Sequence, residues 1–427
     1  MNSSMSLSLP PALSELARAL PYSRTQWLPI LVGFLIGYPL LIKALRYKRL
    51  GEMKKKFYFP TRESMAEMTD EEAFLIQKEM AQLEFPFMFL TSGQFALFRT
   101  YGIPTISHLL TKTGQFSKPE TSFKRYTDTA ALIGEMVENS PTSQRAFISV
   151  ARTRFLHSGY QASGKILDAD LLYTLALFAV QPVRFIENFE WRTLSDLELC
   201  AIGTFWKSLG DALGISSEIL PSGKTGFKDG IQWLEEVDVW SQDYEAKYMV
   251  PDPKNRESAD QATAVLLYNL PKILHPIGLQ FTSYMMDDRL RKAMLYEAPS
   301  PGWSAVFSSL LATRKFVLRY LSPPRPAALA VSNIAQKPDK DDRYHRMSWD
   351  ALPFYIRPTF WNRWGPMAWI SWLMAHPVPG DHGQKYYPQG YHIQDIGPKY
   401  FEGKGHKEIQ EMMKELKISR TGKCPFH

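Results

Sequence analysis

Between Trp27 and Leu45 the chain carries a single charge, Lys43, in roughly nineteen residues, which is near the length that crosses a bilayer as a helix. Hydrocarbon forces a backbone to satisfy its own hydrogen bonds, so this stretch is predicted helical and the rest of the chain must fold beside it. Lys43, Arg46, Lys48, Arg49, Lys54, Lys55 and Lys56 follow, against only Arg18 and Arg24 on the N-terminal side. The positive-inside rule then predicts a short lumenal N-terminus over 1–26, a transmembrane anchor over 27–45 and a cytosolic remainder. No small-residue cleavage site follows, which favours an uncleaved anchor over a signal peptide. Pro29 and Pro39 keep an interfacial or core helix open as the alternative. Asn2-Ser3-Ser4 matches a glycosylation acceptor at the extreme terminus.

With 427 residues and 45% hydrophobic content, the chain can bury one large core or two smaller ones and is not disordered. Its net charge of +7 and pI near 9.1 do not indicate nucleic acid. The basic residues gather near the apolar segment and no nucleic-acid motif occurs, so a membrane surface is the better partner. Cys200 and Cys424 are too few for a disulfide framework and fit a reducing compartment. Neither lies in the segment that surrounds the haem thiolate of a cytochrome P450.

The body of the chain reads as all-α. Thr69-Asp70-Glu71-Glu72 is a capping box that opens a helix reaching Leu83. A phenylalanine-rich stretch follows from 85 to 102. Helical periodicity recurs over 106–110, 168–189, 194–213, 230–248, 258–270, 278–297 and 406–416, and strand alternation is nowhere sustained. Pro and charged residues over 322–342 suggest a linker. Beyond it Trp349, Trp361, Trp364, Trp369 and Trp372, interleaved with Arg357 and Arg363, suggest either an interfacial element or a lid on the catalytic domain. The expected organisation is therefore 46–321 as the catalytic domain and 322–427 as a linker with an aromatic-rich extension. From Gly380 on, no chemical signal is apparent.

One pair of helices concentrates the chemistry. From Phe147 to Gly164 apolar residues occur on both sides of the helix, with Phe147, Val150, Ala151, Arg154, Ser158 and Gln161 on one face and His157 at its edge. Such a helix is normally buried, so Arg154 and His157 need partners. Upstream, 124–138 places Arg125, Asp128, Thr129, Leu132 and Met136 on one stripe. Ser140 and Pro141 between them suit a helix cap and first turn, and the whole reads as an αα-hairpin. Folding it gathers Arg125, Asp128, Thr129, Arg154 and His157 into one interior pocket. From spacing alone this is either a functional site or a satisfied ion-pair network, with Asp128 on an arginine and His157 on a carbonyl. No His-Glu-x-x-His, His-x-x-x-His pair or twin Glu-x-x-His segment competes with it, and the other histidines are scattered.

Arg154-x-x-His157, about thirty residues after Arg125-x-x-x-Thr129, resembles the latex-clearing (rubber) oxygenases and their fungal relatives, the ER-bound oxygenases. The likeness runs from about residue 83 to 321 and includes Phe205-Trp206-Lys207-Ser208-Leu209-Gly210, similar to the family's tryptophan-glycine helix. The resemblance implies a multi-helix domain binding haem b, with His157 as its axial iron ligand. It also implies that Arg125 and Thr129 line the distal side and act on dioxygen. Arg154 and Gln161 would lie against the cofactor, and Asp128 would be placed to move protons. A single-histidine haem needs little more than one imidazole, an apolar slot and polar distal groups. Gly159 would let a macrocycle or a neighbouring helix approach closely.

Two departures stand out: Asp128 replaces a lysine of the rubber-cleaving members, and Gln161 replaces an arginine. The expected reaction is oxygenative cleavage of a carbon–carbon double bond in an isoprenoid chain with O2. Likeness to the fungal enzymes of mycophenolic acid biosynthesis makes the substrate a farnesylated phthalide or other prenylated small molecule, met at the ER membrane lipid. Two rivals remain open: a non-enzymatic membrane scaffold or lipid-binding protein, and a non-haem iron enzyme using Asp128 with His157.

Overall fold

The computed structural model describes residues 24–114 and 119–426, so Asn2 and the expected lumenal segment up to residue 23 lie outside the described residues. The anchor is one helix, α1 (Arg24–Lys56), continuous through Pro29 and Pro39 and longer than the apolar run. It continues because 46–56 are good helix formers and because its second half has something to pack on. Ile42, Arg46 and Met53 are buried, while Leu31, Phe34, Leu35 and Leu41 are exposed. Arg46 Nε donates to the Ser322 carbonyl at 2.9 Å.

Then come α2 (Asp70–Glu79), α3 (Pro86–Thr100) and α4 (Pro104–Lys112). The Thr69 capping box forms as expected: Glu72 N donates to Thr69 Oγ1 and Thr69 N to Glu72 Oε2. A π turn over Met80–Glu84 ends the helical run that follows. After them lie α5 (Pro119–Val137), α6 (Gln144–Ala162), α7 (Asp168–Phe189), α8 (Asp196–Ala212), α9 (Gly230–Tyr248) and α10 (Pro253–Leu266). The single helix expected over 278–297 is two, α11 (His275–Met285) and a short one over Asp288–Ala293. Asp287 is the reason: its side chain caps Leu290 N at 3.0 Å and starts a new helix. α12 (Pro301–Tyr320), α13 (Phe360–Trp364), α14 (Pro366–Leu373) and α15 (His406–Ser419) follow, and single short turns such as Arg62–Met65 lie between the longer helices. β structure among the described residues amounts to isolated bridges, such as Tyr344 with Tyr391. The all-α class expected from the sequence is what is found.

α7 is the hub, packed against α3, α8 and α9. It and α1 are the two described helices long and apolar enough to cross a membrane, but α7 is mostly buried inside the domain. Its neighbours are held by a buried polar centre. Arg99 of α3 donates from Nε and Nη2 to both oxygens of Glu245 of α9, each at 2.6 Å, and Tyr173 OH of α7 donates to the same carboxylate at 2.9 Å. At the α8–α9 crossing, a side chain at Gly203 would overlap the Gly230 carbonyl, so only glycine permits this approach.

The stretch expected to be a linker is tied down instead. Ser332 Oγ and Asn333 Nδ2 donate to Glu138 at 2.7 and 2.9 Å. Tyr391 OH donates to Glu135 at 2.7 Å, and Arg420 Nε to the buried Asp70 at 3.0 Å. Buried carboxylates demand such partners, and here they draw the last hundred residues over the helical body.

Candidate functional site

α5 and α6 pack against each other as the hairpin requires. The cap of α6 is Ser143, whose Oγ accepts from Ala146 N at 3.2 Å, while Ser140 donates to Glu71. The cap expected at Ser140 therefore falls three residues later, because Glu71 takes the Ser140 hydroxyl. Along α6 the first half is buried, and the second half turns one side to a cavity and leaves Ser158 and Gly159 exposed. An added Cβ at Gly159 would meet nothing within 4 Å, so no neighbouring helix among the described residues approaches there.

The cavity, about 320 Å³, is walled by α3 to α8 and by residues 398–401. Its lining is mainly apolar: Leu97, Ile106, Leu109, Leu132, Met136 and Leu175 contribute, with Phe178 and Trp206 stacked 5.5 Å apart. Arg125, Thr129, Arg154, His157 and Gln161 all line it, so the hairpin does bring five of the six expected residues together. Asp128 does not. On α5 it lies about 100° round the helix from Thr129, where Lys124 Nζ (2.8 Å) and Tyr355 OH (2.7 Å) both donate to it. The expected proton-moving carboxylate is thus an anchor for the C-terminal segment. Burial raises its pKa, against the opposing pull of Lys124.

His157 makes no hydrogen bond among the described residues. Burial lowers its pKa to about 4, and the positive charge of Arg125 adds to the effect, so the imidazole is neutral at physiological pH. Arg125 likewise has no carboxylate within 4.0 Å and no hydrogen-bond acceptor among the described residues, and it faces the cavity. Arg154 is held loosely, 3.7 Å from Glu415 on α15. Thr129 Oγ1 donates to the Arg125 carbonyl at 2.9 Å, which leaves its lone pairs for an incoming donor. The satisfied network of Asp128 on arginine and His157 on a carbonyl is therefore not what forms.

Other cavity residues carried no signal in their spacing. Asp170 accepts from Thr105 Oγ1 at 3.0 Å and Tyr244 OH at 2.8 Å, and burial raises its pKa. Pro398, Tyr400 and Phe401 wall the cavity from the far end of the chain, a region that reads as featureless. They are held by Arg152, which is fully buried and donates to the carbonyls of Ile396, Phe401 and Lys404 at 2.8, 3.0 and 2.8 Å. A buried arginine in α6 with no acid near it in sequence was the available clue. The C-terminal tryptophans do not line the cavity.

No group of three or more His, Cys, Asp or Glu suited to a metal occurs among the described residues. One free, neutral imidazole facing an apolar cavity suits a group that brings most of its own donors.

The family described as ER-bound oxygenase mpaB/B'/Rubber oxygenase, catalytic domain, matches residues 83–316, which contain α3 to α11 and most of α12. ER-bound oxygenase mpaB of Penicillium brevicompactum is 87% identical over 395 residues, 92% of this chain and 94% of that protein. ER-bound oxygenase mpaB of Penicillium roqueforti is 80% identical over 296 residues, 69% of this chain and 99% of that protein. The chain belongs to the family of ER-bound mpaB/B' oxygenases and rubber oxygenases, and is an oxidoreductase.

Proposed function

We propose that this oxygenase binds haem b in the cavity, where the His157 imidazole would hold its iron, and uses O2 to cleave a carbon–carbon double bond in a prenyl side chain. The observation that carries this is His157 itself, without a hydrogen bond among the described residues and turned to an apolar cavity. A porphyrin supplies four nitrogen donors, so one protein ligand suffices. Arg154 and Gln161 lie one turn to either side of His157 on α6 and would steady the cofactor, Arg154 by pairing with a propionate. A non-haem centre would need Asp128 beside His157, and Asp128 is engaged by Lys124 and Tyr355 outside the cavity.

When bound, the haem supplies the iron at which dioxygen is activated. The chain's residues supply the setting. The unpaired Arg125 guanidinium donates to oxygen-bearing groups in the cavity, and Thr129 accepts from them. Leu132, Met136 and Leu175 exclude water and receive an apolar chain. By kinship with the fungal enzymes, the substrate is a farnesylated phthalide of mycophenolic acid biosynthesis, and the product is a shortened carboxylic acid. α1 and the ER-bound relatives support attachment to the ER membrane, and the basic run after Leu45 favours a single pass with the domain cytosolic.

The test is an absorption spectrum and pyridine haemochrome assay on full-length protein purified in detergent. Stoichiometric b haem in the wild type, lost in His157→Ala, is expected. Arg125→Ala is expected to keep the haem and lose roughly 10²–10³-fold in turnover, the usual effect of removing one preorganised donor. Iron without porphyrin would instead select the non-haem enzyme. Absence of both after expression with ample haem would leave a scaffold.

A further inference from the structure

α1 is not the only apolar surface that the fold leaves uncovered. Leu310 on α12 is 62% exposed, Ile273 in the turn before α11 is 84%, Phe360 on α13 is 80% and Leu373 on α14 is 85%. Trp361 and Trp369 are exposed beside them. Single exposed apolar residues are ordinary, but a connected set marks an interaction surface.

These are connected. α1 packs along α12, and Tyr38 OH donates to the Leu321 carbonyl at 2.9 Å. α12 meets α11 through Phe307 and Phe281, whose rings are 5.1 Å apart. At the start of α11, His275 Nε2 lies 2.9 Å from the Leu270 carbonyl, and nearby Tyr268 stacks at 3.9 Å on His376, just past the end of α14. The face therefore runs from α1 through α12 and α11 to α14 and α13.

Its charge is one-sided. No Asp or Glu occurs between Asp260 and Asp287, between Glu297 and Asp339, or between Asp350 and Asp381, the stretches that hold α11, α12, α13 and α14. Lys272 and Arg357 in them are exposed. Tryptophan with cations and no acids is the composition of a surface that beds into headgroups.

We propose that this face docks the folded domain onto the bilayer, as a second attachment beside the α1 anchor, with Lys272 and Arg357 meeting anionic headgroups. Lipid is the occupant because the face shares an edge with α1. A protein partner would have to seat itself where the membrane already reaches. Rings and aliphatic side chains enter the leaflet, the two cations stay at its surface, and the domain is held at one fixed tilt. None of the docking helices lines the cavity, so changes on this face leave the site intact.

The test uses full-length protein with Cys424→Ala and one added cysteine carrying an environment-sensitive fluorophore, reconstituted in phosphatidylcholine nanodiscs with or without phosphatidylserine. Probes at Leu373→Cys and, independently, Leu310→Cys are expected to shift to the blue and to lose most of their emission to doxyl-chain lipids. A probe at Leu35→Cys reports the anchor, and one at Ser158→Cys is expected to remain unquenched. Replacing Lys272 and Arg357 with glutamine should lower quenching at Leu373 several-fold in phosphatidylserine discs and leave the phosphatidylcholine value unchanged. Water-like, unquenched probes at both Leu373 and Leu310, with Leu35 quenched, would overturn the proposal while leaving the anchor in place. Protection that grows with protein concentration, without lipid quenching, would overturn it in favour of a second copy of the chain.

Discussion

Arg99 and Glu245 are a bidentate pair with almost no solvent contact, with Tyr173 OH donating to the same carboxylate and Arg289 3.9 Å from it. Removing the cation strands a buried charge, so Arg99→Ala is expected to lose about 3–5 kcal/mol in chemical denaturation. Asp170 behaves oppositely to a surface acid. Burial raises its pKa above the ordinary 3.8, so the folded chain holds that proton more tightly than the unfolded chain. Its contribution is complete below 3.8 and is lost as pH rises through the folded value. Asp170→Asn cannot ionise, and its stability relative to wild type should therefore improve from pH 4 toward neutrality. A difference that stays flat with pH would refute the assignment. At this scale Arg125, Thr129, Arg154 and His157 were legible as one group, because helical period reports which side chains share a face, while Gln161 joined them through the resemblance. Asp128 was misplaced because it sits at the edge of that stripe, and the tyrosine that claims it lies more than two hundred residues downstream.

Helices differ in how sharply their limits are written. α7 and α9 begin and end where the pattern of apolar residues does, since each is long and buried along one side. α6 starts three residues later than the cap expected at Ser140, whose hydroxyl is taken by Glu71, and α11 ends at Met285, because Asp287 caps a new helix. The α8–α9 contact was not legible at all, since a glycine in a helix announces no partner. Gly203→Val should drive that crossing apart and lose about 1–3 kcal/mol or more, read as a lowered denaturation midpoint with an unchanged slope. Arg152→Ala should leave α6 folded and free the 396–404 segment. Hydrogen exchange there is expected to quicken, while α7 and α9 keep their protection.

Over the whole molecule, the segment shared with the family ends at residue 316, yet the fold does not end there. Asp70, Asp128, Glu135 and Glu138 all find partners beyond residue 321. A chain stopped after Leu321 would strip each of these acids of a buried partner, leaving Asp128 to Lys124, Glu135 to Arg145 and Asp70 to Ser208, and is expected to be protease-sensitive without a cooperative melt. A truncated chain that melts like the full length would show that these bonds add little. Helical periodicity gave the all-α class and the apolar run gave the anchor, but neither could show this wrapping, which is a matter of which distant hydroxyls and cations meet buried acids. The wall made by Pro398, Tyr400 and Phe401 has a further meaning in time. A ribosome adds roughly 5–20 residues per second, so α1 emerges some tens of seconds before the last wall of the cavity exists. The nascent chain is thus tethered at the membrane while its pocket is still open on one side. Whatever fills that pocket permanently has its easiest entry before the C-terminus arrives, and the final residues close the door behind it.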